Sequence, residues 1–235
     1  MISVIFDLDG TLVDSEPNYY ESGRRTLERH GVADFGWEDH AAFIGIGTRE
    51  TLEILRERYG IAAPVGQLLD EQNAVYLELA GAATEVFPQM RAFVARLHAD
   101  GVPMAVASGS SRAAIDAVLA GTGLDALLTT AVSAEEVPHG KPAPDVFLEA
   151  ARRLGTQPAD CVVLEDAAPG VRAAHAAGMG CVAVPYVALG ADDPAFATAD
   201  LVFPAGQSQF DAATAYAWLQ TRASATATRR TASAG

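Results

Sequence analysis

Cysteine is scarce in this sequence, and long apolar runs and an amino-terminal targeting pattern are missing. The 235 residues include two cysteines, Cys161 and Cys181, and each begins a short apolar segment. This placement favours reduced core residues over a disulfide framework or a metal-binding pair. No apolar run approaches the length that spans a bilayer, and no basic and then apolar stretch opens the chain. We therefore expect a cytoplasmic protein.

Positive charge is also scarce. The chain has 16 lysines and arginines against 30 aspartates and glutamates, which gives a formal net charge of −14. Nucleic acids and anionic membranes are bound by basic surfaces, so the charge argues against both as partners. An anionic small molecule would also be repelled, and a site for one needs compensation from a metal, a lysine or backbone amides. Because no segment resembles a coiled coil, a monomer is the expected state.

What the sequence does have is an alternation of short apolar runs with segments of helical period. The runs predict strands at residues 2–6, 103–107, 127–132, 161–164, 181–184 and 201–203. The intervals between them predict helices at about 88–101, 110–121, 144–155 and 169–178, most of them beginning at a proline and ending at a glycine. This alternation is typical of α/β proteins with a doubly wound parallel sheet.

One interval breaks the alternation. Residues 15–83 contain no convincing strand but several amphipathic stretches, at 19–30, 48–59 and 66–79. The interval is too long for a crossover and predicts a helical cap domain inserted into a core made of residues 1–14 and 84–220. A cap at this position can act as a lid that excludes water. Residues 221–235 contain no large apolar side chain, and we expect a disordered tail.

Two aspartates follow the first predicted strand. Residues two apart in an extended segment project to the same side, so Asp7 and Asp9 can face one small volume. That volume lies at the carboxyl end of the strand, where open α/β sheets bind ligands. Asp9 and Gly10 alone are equally typical of a tight turn, so the pair needs partners elsewhere in the chain.

Three later segments supply polar partners. Ser108 and Gly109 lie between a predicted strand and a predicted helix, where a hydroxyl and free amides can hold a phosphate, although the same pattern serves as an ordinary helix cap. Lys141 precedes a proline, which favours an extended backbone, and Glu165 and Asp166 follow the strand at 161–164. Each pattern is weak alone, but the succession at strand ends of one sheet predicts a single site.

In this order the segments resemble the four motifs of the haloacid dehalogenase superfamily of phosphotransferases. The resemblance extends from residue 1 to about residue 203, and the inserted helices resemble the cap at that family's first insertion site. It implies a Rossmann-like core and a small phosphorylated metabolite as substrate. The local sequence after Asp14 resembles the branch that holds β-phosphoglucomutase and the sugar-phosphate and phosphoglycolate phosphatases.

The resemblance also implies a role for each residue of the core motifs. Asp7 would be the nucleophile that forms an aspartyl-phosphate, and Asp9 would protonate the leaving alcohol and then activate water. Ser108, Gly109 and Lys141 would hold the phosphoryl oxygens. Asp9 favours phosphate monoesters, because dehalogenases and phosphonate-cleaving members of the superfamily carry no aspartate at this position.

A magnesium site is implied by the same resemblance. Its ligands would be Asp7, the backbone of Asp9, and Asp166, with Glu165 acting through water. Carboxylates, a carbonyl, waters and a phosphate oxygen are the ligands that suit Mg²⁺.

Two alternatives stay open beside a phosphatase. A β-phosphoglucomutase-like enzyme would carry a cap histidine where residues 17–20 read Pro-Asn-Tyr-Tyr, and a cap lysine that residues 71–76 do not match. Arg49 does resemble a mutase arginine that binds substrate, and it is our cap candidate. A phospho-receiver domain would place its acidic pair side by side and its phosphorylated aspartate on a later strand. The balance favours hydrolysis.

Overall fold

A parallel β-sheet forms the centre of the fold. The computed structural model describes residues 2–44, 47–186 and 193–233, with side chains described to residue 224. Its strands are β1 (Ser3–Phe6), β2 (Val13–Asp14), β3 (Glu85–Val86), β4 (Met104–Ser108), β5 (Ala131–Ser133), β6 (Cys161–Glu165), β7 (Gly180–Ala183) and β8 (Leu201–Val202). Six of them form one sheet in the order β5-β4-β1-β6-β7-β8, and all neighbouring pairs are parallel. The predicted α/β fold is confirmed.

The central strand β1 is buried on both faces. Val4 and Phe6 belong to one apolar cluster and Ile5 to another, because successive side chains of a strand point to opposite faces. Burial on both faces explains why the strands appear in the sequence as continuous apolar runs and not as alternating patterns.

Helices cover both faces of this sheet. The described helices are α1 (Glu16–Arg29), α2 (Trp37–Ala41), α3 (Thr48–Tyr59), α4 (Val65–Ala83), α5 (Pro88–Ala99), α6 (Arg112–Thr122), α7 (Asp145–Leu154), α8 (Ala168–Ala176) and α9 (Ala212–Ser233). Helices α5, α6 and α9 cover one face with side chains such as Phe93, Ile115 and Leu219. Helices α7 and α8 cover the other with Phe147 and Val171. The layout is doubly wound.

The inserted helices α1 to α4 occupy the predicted interval. They pack around an apolar cluster of their own, which includes Leu27, Leu52 and Leu68. The chain leaves the core through β2 and returns through β3, and these two strands pair in antiparallel fashion with Val13 opposite Val86. Helix α2 lies between the predicted stretches and was not expected from the sequence.

The structure departs from the sequence-based expectations at two further places. Strand β5 begins at Ala131, later than predicted, because the N–H groups of Leu127 and Leu128 donate to the carbonyl of Leu124 and continue the 3₁₀ turn at residues 124–126. Helix α9 extends through residues 221–233, where a tail without regular structure was expected. Its first turns are anchored in the core by Ala215 and Leu219, and the alanine-rich sequence beyond has the propensity to continue a helix that has already begun.

Two expectations based on absences can be compared with the structure. Both cysteines are buried and unbonded to each other, as predicted. Among the residues that the structure describes, no helix combines the length and the apolar character that crossing a membrane requires.

Candidate active site

The carboxyl ends of the central strands open onto a cavity of about 1080 Å³ beneath the inserted helices. Every site residue predicted from the core motifs lines this cavity: Asp7, Asp9, Ser108, Gly109, Lys141, Glu165 and Asp166. The two aspartates follow β1, Ser108 ends β4, Lys141 lies between β5 and α7, and the acidic pair lies at the end of β6. The topology of the sheet therefore brings together segments that are far apart in the sequence.

A buried lysine joins two of the carboxylates. Lys141 Nζ donates to Asp7 Oδ1 at 2.5 Å and to Glu165 Oε1 at 2.6 Å. The ring of Phe147 lies 4.9 Å from the same ammonium and faces it. Asp7 is fixed from its backbone as well, because its N–H donates to the carbonyl of Leu164 on the neighbouring strand at 3.0 Å. The side chain expected to attack is thus held in one position.

Negative charge at the end of the sheet exceeds the charge of this one lysine. Carboxylate oxygens of Asp7, Glu165 and Asp166 lie within 4.8 Å of one another. Burial raises the pKa of Asp7 to about 7; Lys141 opposes this rise, whereas Glu165 and Asp9 add to it. Burial and the charges of Glu165 and Asp7 also raise the pKa of Asp166 well above its ordinary value.

Lys141 remains a cation in these surroundings. Burial alone would lower its pKa, but Asp7 and Glu165 outweigh burial and raise the pKa above its ordinary value. One ammonium against three clustered carboxylates leaves an unbalanced negative charge, and oxygen ligands in such a cluster suit a hard divalent cation. The residues present therefore fit a divalent metal ion.

Asp9 accepts hydrogen bonds from the predicted site residue Ser108 and from two donors that the sequence did not indicate. Its Oδ1 accepts a hydrogen bond from the Tyr76 hydroxyl at 3.2 Å, and its Oδ2 accepts from Ser110 Oγ at 2.6 Å and Ser108 Oγ at 3.3 Å. Tyr19 stacks on Tyr76 with ring centroids 4.3 Å apart. Burial and the charge of Asp9 raise the pKa of Tyr76 above its ordinary value, so its hydroxyl stays protonated and donates.

The turn after Asp9 requires glycine for two reasons. Gly10 has φ of +78°, and a Cβ at this position would lie 2.3 Å from Asp166 Oδ2. The next residue, Thr11, donates from its hydroxyl to Asp166 Oδ1 at 3.0 Å. Gln207 Nε2 donates to the carbonyls of Gly10 and Thr11 at 3.1 and 2.9 Å. Gln207 therefore supports the turn from the far end of the chain.

Glu165 fits tightly against the start of α8. Its Oε2 accepts from the backbone N–H groups of Asp166 and Ala167, both at 3.0 Å. A Cβ on Gly170 would lie 1.7 Å from Glu165 Oε1, so only glycine leaves room for this carboxylate. Because the other oxygen of this carboxylate, Oε1, accepts a hydrogen bond from Lys141, Gly170 indirectly supports the position of the lysine.

The end of β4 leads into a helix start that faces the cavity. Ser108 Oγ accepts from the N–H of Ser110 at 3.0 Å, and Ser111 caps α6 by accepting from Ala114 N at 3.2 Å. Ser133 on the adjacent strand donates to the carbonyl of Ser110 at 2.6 Å. Ser108 and Gly109 are therefore presented to the cavity by a loop that is fixed at both ends.

The cap candidate Arg49 lies elsewhere. It is the second residue of α3, its side chain is exposed, and it is not part of the cavity wall, although its neighbour Thr48 is. The two residues before Gly47 lie outside the described part of the chain. The polar groups that the inserted helices do present at the cavity include a pair, Glu16 and His40, with Oε1 and Nε2 2.6 Å apart.

Comparison with known proteins identifies the family. A family profile described as haloacid dehalogenase-like hydrolase matches residues 3–178. Fructose-1-phosphate phosphatase YqaB of Escherichia coli K12 is 35% identical over 181 residues, which cover 77% of this chain and 95% of that protein. The bifunctional riboflavin kinase/FMN phosphatase of Arabidopsis thaliana is 37% identical over 186 residues, and here the match spans 48% of the longer relative.

A solved structure extends the similarity to the whole fold. A HAD family hydrolase from Deinococcus radiodurans R1, with bound phosphate and sodium, superposes with a TM-score of 0.71. It is 27% identical, and the match covers 93% of this chain and 97% of that one. Sequence profile, relatives, sheet order and the acidic cavity agree: the chain belongs to the haloacid dehalogenase-like hydrolases.

Proposed function

We propose that this protein is a magnesium-dependent phosphatase that hydrolyses small phosphate monoesters through an aspartyl-phosphate intermediate. The observation that carries the proposal is the meeting of Asp7, Asp9, Ser108, Lys141 and the acidic pair of β6 around one cavity. The phosphatase activities named for relatives from E. coli and A. thaliana, and the phosphate held by the D. radiodurans relative, support it.

The first half of the reaction transfers the phosphoryl group to the protein. A carboxylate oxygen of Asp7 attacks phosphorus, and the bond from phosphorus to the leaving oxygen breaks. Asp9 gives its proton to that oxygen, so the product leaves as an alcohol. Lys141 and Ser108 donate to the phosphoryl oxygens, and Lys141 already lies 2.5 Å from the attacking carboxylate.

The second half restores the enzyme. Asp9, now a carboxylate, takes a proton from water, and the oxygen of that water attacks the phosphorus of the acyl phosphate. The bond between phosphorus and the Asp7 oxygen breaks, and inorganic phosphate leaves. One residue thus serves as acid and then as base, which agrees with its place at the interface between the catalytic residues and the inserted helices.

The proposed ligands of Mg²⁺ are Asp7, Asp166 and the backbone of Asp9, with Glu165 acting through water. When bound, the ion would neutralise the charge of the carboxylates and of the phosphoryl oxygens. Small carboxylate-rich sites of this kind suit Mg²⁺ better than the softer metals that prefer nitrogen or sulfur ligands.

The mutase alternative is weaker at the residue level. Where the resemblance to β-phosphoglucomutase would require a cap histidine and a cap lysine, this chain has residues 17–20 and 71–76 with neither. The second of these segments instead supplies Tyr76, a neutral donor to Asp9. The receiver alternative accounts for neither the four inserted helices nor the cavity beneath them.

Replacement of Asp7 tests the proposal. We expect Asp7→Asn to lower turnover of an aryl phosphate by several orders of magnitude, because the shape is kept and the nucleophile is lost. Excess chelator should abolish the parent activity, and added Mg²⁺ should restore it. Asp34→Asn, the same change at an exposed position outside the cavity wall, should leave turnover unchanged.

The intermediate gives a second readout. Rapid quenching of the parent enzyme with a ³²P-labelled ester should leave label on protein that hydroxylamine removes, as expected of an acyl phosphate. Undiminished turnover in Asp7→Asn, or label that survives hydroxylamine, would contradict the mechanism. We further propose that the enzyme is a monomer, which gel filtration would test. We also propose that it is cytoplasmic, because phosphorylated metabolites are charged and remain in the compartment where they form; cell fractionation would test this.

A further inference from the structure

The wall of the cavity opposite the catalytic carboxylates consists of neutral polar and apolar groups together with acids. Polar residues that line the cavity outside the core motifs include Glu16, Thr48, Thr51, Gln72, Asn73 and Glu135. Between them lie partly exposed hydrocarbon side chains such as Leu69 and Leu77. Hydroxyl and amide groups beside hydrocarbon can bind the hydroxyls and the apolar faces of a polyol or a sugar.

Positive charge is nearly missing from this wall. Of the described residues that line the cavity, Lys141 is the one with a permanent positive charge, and it is engaged by Asp7 and Glu165. His40 faces the cavity in a hydrogen bond with Glu16. The internal segments outside the described part, residues 45–46 and 187–192, contain no lysine, arginine or histidine.

The two anionic groups of a doubly charged substrate would therefore lie in parts of the cavity that differ in charge. The phosphoryl group under attack lies near Lys141 and the proposed metal ligands, where positive charge is supplied. A second phosphate or a carboxylate would enter the rest of the cavity, whose described lining includes Glu16 and Glu135 and no further lysine or arginine, in a chain of net charge −14. Repulsion between like charges is stronger in a partly enclosed cavity than in open solvent.

We infer that the substrate carries one anionic group only: it is the phosphate monoester of an uncharged polyol or sugar, and bisphosphates and phosphorylated carboxylic acids are discriminated against. The inference rests on the proposed phosphatase function and narrows it. It selects against phosphoglycolate, and it also selects against a mutase, because a mutase passes through a sugar bisphosphate and must hold its second phosphate.

Matched pairs of esters test the inference. One pair is 2-hydroxyethyl phosphate and 2-phosphoglycolate, which differ by an alcohol against a carboxylate. The other is fructose 1-phosphate and fructose 1,6-bisphosphate, with release of the 1-phosphate followed by the appearance of fructose 6-phosphate. We expect kcat/KM to be at least about tenfold higher for the member of each pair that carries the reacting phosphate as its one anionic group, measured at low ionic strength, and we expect the ratio to shrink as salt is added.

A charge placed in the wall should change the ratio. Thr51→Arg adds one positive charge inside the cavity, and Glu53→Gln makes the same change in net charge on an exposed part of the same helix, outside the wall. We expect Thr51→Arg to lower the preference for fructose 1-phosphate over the bisphosphate by roughly threefold to tenfold. Glu53→Gln should leave it unchanged. If Thr51→Arg does not fold, Asn73→Arg on α4 makes the equivalent change.

The possible outcomes distinguish the phosphatase activity from the preference for a substrate with one anionic group. Failure to release phosphate from any of the four esters in Mg²⁺ would contradict the proposed function itself. Release from both members of each pair with similar kcat/KM would leave the phosphatase intact and overturn the inference. An Arg49→Ala variant that loses activity on the bisphosphate but keeps activity on fructose 1-phosphate would also overturn the inference, since that result would show that Arg49 binds a second anionic group.

Discussion

At the scale of single residues, the most consequential contact joins Asp9 to Tyr76. Asp9 belongs to the turn after β1 and Tyr76 to α4, so this hydrogen bond connects the proposed acid and base to the inserted helices. Tyr76 is almost fully buried, and its ring is fixed by the stacked ring of Tyr19. The side chain therefore holds Asp9 only when α4 is in this position.

Removal of the Tyr76 hydroxyl should slow the reaction selectively. In Tyr76→Phe the ring remains and one donor to Asp9 is lost, so we expect about a tenfold fall in kcat for an alkyl phosphate, on the scale of one hydrogen bond to a charged group. In single turnovers an aryl phosphate, whose leaving group needs little protonation, should be affected much less.

A matched variant and a clear contrary result accompany this experiment. Tyr20→Phe makes the same change beside Phe35 and Trp37, away from Asp9, and should leave both esters unaffected. An equal loss on alkyl and aryl esters in Tyr76→Phe would mean that the hydroxyl supports the structure only and does not position the acid.

The residues that the sequence could predict are those next to strand ends. Asp7, Ser108 and Glu165 each follow an apolar run that is visible locally, and Lys141, which precedes a proline, is the single lysine of the chain. Tyr76 and Gln207 were missed because their contacts reach 67 and 196 residues along the chain, and neither has a local pattern that differs from an ordinary helix or turn.

At the scale of secondary structure, a contact between two glycines joins the inserted helices to the core. A Cβ on Gly121 of α6 would lie 2.4 Å from the carbonyl oxygen of Gly81 on α4, so the two backbones are in direct contact. Tyr76 lies on the same helix as Gly81, about one and a half turns away. The position of Tyr76 over Asp9 therefore depends on how closely α4 and α6 approach.

Gly121→Ala should separate these helices. Because the atoms nearest to the added methyl group are backbone atoms of Gly81, they cannot rotate away, and we expect a loss of about 1–3 kcal/mol in the free energy of unfolding. Urea titration measures the loss. Activity on an alkyl phosphate should fall at the same time, because α4 carries Tyr76 away from Asp9.

Gly66→Ala, on α4 as is Gly81, is the control. A Cβ there meets no atom within 4 Å, so the variant should be as stable as the parent or slightly more stable through helix propensity. If Gly121→Ala unfolds at the parent's urea concentration and keeps full activity, the glycine contact does not determine the position of α4.

Most elements of the core were predictable because each repeats a pattern of apolar run, cap and helix. The pairs that form at a distance were not: β2 and β3 contribute two residues each and are separated by the whole insertion. Helix α9 was underestimated for the opposite reason. Its last residues have no large apolar side chain from which a helix could be predicted. The helix continues through them because its earlier turns are anchored in the core by Leu219.

At the scale of the whole molecule, the net charge of −14 opposes the approach of an anionic substrate. Added monovalent salt screens this long-range repulsion, whereas the contacts inside the partly enclosed cavity are screened less. At saturating Mg²⁺ we expect kcat/KM for a phosphate monoester to rise by about twofold to fivefold between low and physiological ionic strength. The expected rise should be the same in NaCl and KCl.

The direction of the salt effect is the informative quantity. Enzymes that attract their substrates electrostatically lose kcat/KM as salt is added. A fall of kcat/KM in both salts would mean that the local field of Lys141 and its surroundings governs capture and that the mean charge of the molecule does not. In that case the net charge of the molecule would not repel the substrate to a measurable extent, while the proposed roles of Asp7 and Asp9 would be unaffected.

The short ribbon of β2 and β3 makes the molecule modular. The segment between Val13 and Val86 begins and ends at two residues that are paired with each other. Its length and sequence therefore do not affect the register of the six-stranded sheet. Insertions at such a point can be exchanged, lengthened or rebuilt while the strand ends that carry the chemistry stay where they are. The helices proposed to select the substrate and the strand ends proposed to transform it can consequently diverge at different rates, and relatives that share one reaction need not share one preference.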